Sequence, residues 1–252
     1  MLYVQQYGEQ HKETLLFLHG GGLSGRMWAE VAGELDDYHC IVPDLPEHGQ
    51  SAGVKPLSTD FCLRQMEMLL ERRGPVHVVG LSLGGALALS MLRTMPDRIH
   101  SMVLSGTAAG MSRMTAMLLN GAAAPLYSML SAKTLAQSMM KQFHIPESFR
   151  QSLVEDAAAI NAGVTRRMHA MLSEIRLPAE NSTPLLVLVG ERENKLARRA
   201  AARIAATVPA SKGAVVPKVG HVWSYERPAL FAQVIRHWVE QKEVHPQLLH
   251  LP

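Results

Sequence analysis

Residues Val76 to Leu92 carry no charged side chain once His77 is counted as neutral, and they change character midway. Val76-His-Val-Val79 is β-branched and reads as a buried strand, whereas Leu83 to Leu92 is rich in Ala and Leu and reads as a helix. Gly80-Leu-Ser-Leu-Gly84 joins them. The run approaches the length of a membrane span, but glycines at 80, 84 and 85 mark a strand turning sharply into a helix. A nucleophilic serine must project from such a turn, and Gly80 and Gly84 remove side chains where the backbone crowds. The helix that starts after Ser82 points unpaired N–H groups at the same spot, which favours negative charge. A glycine-rich turn with serine as helix cap has the same letters, so the motif needs partners elsewhere.

Similar units recur along the chain. Apolar runs stand at Thr14–Leu18, Cys40–Pro43, Val76–Val79, Ser101–Ser105, Leu185–Val189 and Ala214–Val216. Continuous rather than alternating apolar runs predict strands buried on both faces. Helical patterns alternate with them at Arg26–Leu35, Asp60–Arg73, Leu83–Met95, Lys195–Thr207 and Pro228–Glu240. The alternation predicts an α/β chain with a mostly parallel central sheet flanked by helices. Leu2–Tyr7 fits an edge strand, and the two-proline tail Val244–Pro252 fits irregular structure. Residues 107–180 break the rhythm with helical patterns and no good strand. They predict a helical insertion, a cap or lid, on a core formed by 1–106 and 181–252. Eight of the 15 methionines lie in that insertion: 111, 114, 117, 129, 139, 140, 168 and 171. Methionine fills irregular apolar space, so this stretch suits a flexible acyl or aryl group, or simply the packing of the cap on the sheet.

Two hundred and fifty-two residues bury enough surface to fold without disulfide or metal. With 47% apolar residues and a net charge of +3, disorder is excluded. The charges are scattered, which speaks against a nucleic-acid footprint. Cys40 and Cys62 sit in apolar segments and read as free buried thiols. The first residues do not read as a signal peptide, and the expectation is a soluble, cytoplasmic chain with no membrane span. No H-E-x-x-H or C-x-x-C spacing asks for a metal.

Gly20-Gly-Gly-Leu-Ser-Gly25 matches the dinucleotide fingerprint G-x-G-x-x-G, with Asp44 at the expected distance beyond the next strand. Glycines there could approach a pyrophosphate at a helix N-terminus, or leave backbone N–H groups free for an oxyanion. The serine motif chooses between these. Serine is a weak nucleophile and needs a base oriented by a third group, in the chain order serine, acid, histidine. His100, His144 and His169 follow Ser82, yet none stands in a turn after a late strand. His221, in Val219-Gly-His-Val-Trp223, does. The acid belongs on the loop after Leu185–Val189, where Glu193 is the first choice and Glu191 the rival.

Together these residues resemble the α/β-hydrolase superfamily. The matching pieces are Leu18-His-Gly-Gly21, Asp44-Leu-Pro-Glu-His-Gly-Gln-Ser51, Gly80-Leu-Ser-Leu-Gly84, Gly190-Glu-Arg-Glu193 and Gly220-His221, in the family's order and spanning most of the chain outside 107–180. The resemblance implies that Gly20–Gly25 is an oxyanion loop. Gly21 and Leu83 would supply its backbone N–H donors, with Gly22 as the alternative to Gly21. It makes His19, Asp44 and His48 structural. Glu47 stands where the family usually has Gly, and Glu193 where it usually has Asp. The implied activity is cofactor-free hydrolysis of a small-molecule carboxylic ester by Ser82, His221 and Glu193 through an acyl-enzyme, in a monomer or homodimer. Alternatives within the fold are C–C or thioester hydrolysis and proton abstraction. For the last, Leu16–Gly22 and Gly190–Leu196 look somewhat like the menaquinone-pathway lyase. A binding member that keeps the pocket is the non-enzymatic alternative. Arg113, Arg166 and Arg167 are either ligands for a substrate carboxylate or solvated surface.

Overall fold

The computed structural model describes residues 1–112, 114–121 and 130–251. Its strands are β1 (Val4–Tyr7), β2 (Thr14–Leu18), β3 (His39–Pro43), β4 (Val76–Leu81), β5 (Ile99–Ser105), β6 (Leu185–Gly190), β7 (Ser211–Val216) and β8 (Leu249–His250). They form one sheet in the order β1-β3-β2-β4-β5-β6-β7-β8. The neighbours from β3 to β7 are parallel. The two edge strands, β1 and β8, are antiparallel. β2, β3, β4 and β6 are buried along their whole lengths, which is why each reads as an unbroken apolar run. Successive residues of β2 still serve opposite faces. Leu15 and Phe17 join a core with Trp28, Trp223 and Phe231, while Leu16 and Leu18 join one with Met66, Leu87 and Ile204.

The helices cover both faces: α1 (Ala29–Gly33), α2 (Thr59–Leu70), α3 (Leu83–Thr94), α4 (Ala132–Phe143), α5 (Arg150–Ala158), α6 (Ala162–Glu174), α7 (Lys195–Thr207), α8 (Trp223–Glu226) and α9 (Pro228–Gln241). Residues 114–121 are also helical. In α9, Phe231, Ile235 and Trp238 repeat at helical spacing and are buried. Each such side chain contributes about 1.5–3 kcal/mol by leaving water. Between β5 and β6 the described residues are helical or irregular, with no strand.

Two expectations need correction. The helix expected over Arg26–Leu35 is a 3-10 turn, Gly25–Trp28, followed by the short α1. The 3-10 turn opens at Gly25, whose N–H is taken by the Asp44 side chain. The tail is not wholly irregular either: β8 pairs Leu249 with Val215 and His250 with Ala214. An edge strand of two residues carries too little periodicity to be read from sequence. Cys40 and Cys62 are free and buried, and burial pushes both thiols up to about 12. No described helix is long and apolar enough to cross a membrane.

The strand order reverses at β2 and β4: the chain leaves β2 toward β3 on one side and returns as β4 on the other. Crevices in open parallel sheets form at the carboxyl ends of strands flanking such a reversal. Gly20–Gly22 follows β2 and Ser82 follows β4, so both motifs face one crevice.

Candidate active site

Ser82 lies between β4 and α3 with φ 52° and ψ −109°, a conformation that L-residues rarely adopt. The surrounding glycines have direct reasons. A β-carbon on Gly80 would lie 2.8 Å from the backbone of Gly85, and one on Gly84 would lie 2.2 Å from the carbonyl oxygen of Leu18. The Ser82 N–H donates to Ser105 O at 3.0 Å, and its carbonyl accepts the first helical bond of α3 from Ala86. Leu83 opens the helix, so its N–H is one of the donors without an intrahelical acceptor.

The loop after β2 comes alongside. A β-carbon on Gly20 would stand 3.8 Å from Ser82 Cβ, and one on Gly21 would stand 3.5 Å from Leu83 Cδ2. Gly22 (φ +78°) instead faces Met139 and Ile160. His19 pins this loop from beneath. Its Nε2 accepts from the Leu45 N–H at 2.8 Å, so Nδ1 carries the proton donated to Gly20 O at 2.8 Å. Burial lowers His19 and His48 to about 4, so both are neutral in the fold. Asp44 takes the N–H groups of Gly25 and Gln50, each at 2.7 Å. His48 Nδ1 bonds the Pro46 carbonyl at 2.9 Å, so all three residues brace loops.

At the carboxyl ends of β6 and β7, His221 Nδ1 meets Glu193 Oε2 at 2.6 Å, and Glu193 Oε1 accepts the Gly190 N–H at 2.9 Å. Glu191 turns away and accepts the Lys218 N–H at 2.7 Å. Among the described residues no hydrogen bond joins Ser82 to His221; such bonds are commonly long in ligand-free sites and tighten with substrate.

Three residues around His221 were not singled out by their sequence context. Gly106 (φ +57°) lies under the imidazole, where a β-carbon would come within 2.6 Å of Nδ1 and Cε1. Phe143 packs on the ring with centroids 5.5 Å apart. Glu226 accepts the Gly220 N–H at 2.8 Å and pairs with Arg192, tying the acid loop to the histidine loop. Only the glycine ending an apolar strand left a trace in the sequence.

The arginines divide. Arg167 is half-exposed and committed to an ion pair: its Nε and Nη2 meet Glu47 Oε2 and Oε1 at 2.5 and 2.8 Å. Glu47 is buried and has φ 62°, the left-handed region that suits the glycine of the family pattern. Arg166 is exposed. Arg113 lies outside the described residues, as does Met129. Met168 sits against Gly21, where a β-carbon would lie 2.7 Å from its sulfur. Met140 and Met171 are buried, while Met114 and Met117 are exposed.

A cavity of about 800 Å3 adjoins the pair, lined by His221, Glu193, Gly106, Phe143 and the start of α7. Ser82 does not line it. Among the described residues no group of three or more His, Cys, Asp or Glu side chains could hold a metal ion.

The strand order, the strained serine turn and the chain order of serine, carboxylate and histidine define an α/β hydrolase. The family profile of the alpha/beta hydrolases matches residues 15–234, and the chain belongs to that family. An AB hydrolase superfamily protein of Gibberella zeae is 26% identical over 92% of this chain and 82% of its own length. A pimeloyl-[acyl-carrier protein] methyl ester esterase of Aeromonas salmonicida is 26% identical over 94% of this chain and 98% of its own. Among solved structures, a malate-bound thermophilic esterase from Thermogutta terrifontis superposes with a TM-score of 0.80 at 25% identity, covering 96% of this chain and 93% of that one. Relatives named as lipases and esterases support hydrolytic activity as the class of reaction.

Proposed function

We propose that the chain is a serine esterase. Ser82 Oγ attacks the ester carbonyl while His221 Nε2 takes its proton and passes it to the leaving alcohol. Glu193 holds the imidazole tautomer through Nδ1 and stabilises the imidazolium. The N–H groups of Gly21 and Leu83 receive the oxyanion, and each lost donor costs roughly 10²–10³ in turnover. Water activated by His221 then releases the acid. The scheme needs no cofactor. The contacts of Gly21 with Leu83, against those of Gly22 with Met139, favour Gly21 as the loop's donor.

The observation that carries this reading is the backbone of Ser82. Strain of that kind costs on the order of 1–3 kcal/mol and persists where a site needs the residue so placed. The described residues of 107–180 act as a cap. Met168 and Met139 lie on the glycine loop and give the acyl group an apolar, adaptable wall. The substrate is accordingly a small ester with an apolar acyl part.

The test is hydrolysis of p-nitrophenyl butyrate by the wild type and Ser82→Ala, with mass spectrometry of a trapped acyl-enzyme. The expected result is a loss of at least about 10³-fold and an acyl adduct on Ser82. Equal slow rates for both proteins overturn the esterase. Turnover without an adduct points instead to direct attack by water on the ester carbonyl, with His221 as general base.

A further inference from the structure

The cavity beside His221 has a charge that the esterase reading leaves unused. Among the described residues its lining includes three arginines, Arg192, Arg199 and Arg203, and a single carboxylate, Glu193. Both oxygens of Glu193 are engaged, with His221 and with the Gly190 N–H. Arg192 is paired with Glu226. Arg199 and Arg203 have no ion pair among the described residues. They stand four apart on α7, hence on one face of the helix. α7 carries Lys195, Arg198, Arg199 and Arg203 and no acid. Like charges at this spacing repel, and cations in a first turn oppose the helix dipole. The arrangement costs the helix stability, and no ion pair or side-chain hydrogen bond among the described residues offsets it at 199 and 203.

The position of the cavity says which half of an ester would meet these arginines. The leaving alcohol must take its proton from His221, so it lies on the histidine side. The acyl half lies on the side of Gly21, under Met168. We propose, resting on the esterase reading, that the enzyme selects esters whose alcohol carries an anionic group, a carboxylate or a phosphate. The leaving group extends past His221 and Phe143 into the cavity, and the anion is held by Arg199 and Arg203. Guanidinium forks suit both anions. The cavity volume is within the range of small-molecule sites.

The experiment compares 4-(butanoyloxy)butanoate with 4-(butanoyloxy)butanamide, which share acyl group and alkoxide chemistry and differ in charge. A third ester, 2-(butanoyloxy)ethyl phosphate, tells phosphate from carboxylate. The wild type is expected to favour the anionic esters by about 10-fold or more in kcat/KM at low salt, with the ratio shrinking as salt screens it. Arg199→Ala/Arg203→Ala should bring the ratio to about one. Both side chains are exposed, so this variant is expected to fold. Calorimetric binding to Ser82→Ala reads the same preference without turnover. Equal rates and equal binding for charged and neutral esters overturn the anion site and leave the esterase standing, as does a preference that survives the double substitution. Absence of Ser82-dependent turnover of every ester overturns the esterase, and the binding preference then decides the anion site alone.

Discussion

Glu191 and Glu193 are two residues apart, identical in chemistry, and aimed at different partners. The loop that follows β6 directs Glu193 to His221 and Glu191 to the Lys218 N–H. Glu193→Gln is therefore expected to lower kcat/KM by at least about 10-fold, because a neutral amide no longer stabilises the imidazolium. Glu191→Gln should stay within about two-fold. Ester kinetics on the two variants decide the assignment, and the reverse pattern would transfer the role to Glu191. The sequence could propose both carboxylates, since each follows the right strand, but side-chain direction in a short loop is not periodic. The turns that carry Ser82 and His221 were legible because each follows a strand and has glycine within two residues. The places of Phe143 and Glu226 were not, because their contacts exist only between elements far apart in the chain.

Within α6, neighbouring residues do different jobs. Arg167 anchors the helix to Glu47 of the core, and Met168 lies on the glycine loop. A second anchor runs the other way, from Arg26 of the core to buried Asp156 on α5, which also accepts from Ser24 Oγ at 3.0 Å. Removing one partner of a buried pair leaves a charge uncompensated, at about 3–5 kcal/mol. Arg167→Met should fall near the lower figure, since water reaches the half-exposed guanidinium. Glu47→Gly should cost less, because it removes the buried charge and relieves a left-handed backbone worth about 1–2 kcal/mol. Urea unfolding of the two variants measures the difference; an equal or larger loss for Glu47→Gly would contradict it. The Glu47 departure from the family pattern was visible in sequence. Its partner was not, since 120 residues separate Glu47 from Arg167.

At the scale of the whole molecule, buried histidines set the response to acid. His19, His48 and His77 are lowered from 6.5 to about 4, in each case chiefly by burial. The unfolded chain binds these protons first, so the stability they confer is complete above pH 6.5 and is lost as the pH falls toward 4. Asp156 opposes them: burial raises it from 3.8 to about 6, so its share of stability increases as the pH falls through that window. Three histidines against one acid, each at about 1.4 kcal/mol per unit shifted, predict a net loss of several kcal/mol between pH 6.5 and 4. Urea midpoints at pH 7 and pH 4.5 test this, and an unchanged midpoint would refute it. The sequence by itself determined the parallel sheet, the turn at Ser82 and the order of the chemical groups, because these rest on local periodicity and on glycines beside particular strands. Only the tertiary structure decided which glutamate meets His221, which glycine lies beside Leu83, what Arg167 binds, and that a basic cavity opens behind His221. Those depend on where side chains from distant segments point once the sheet has assembled, and no local pattern encodes that.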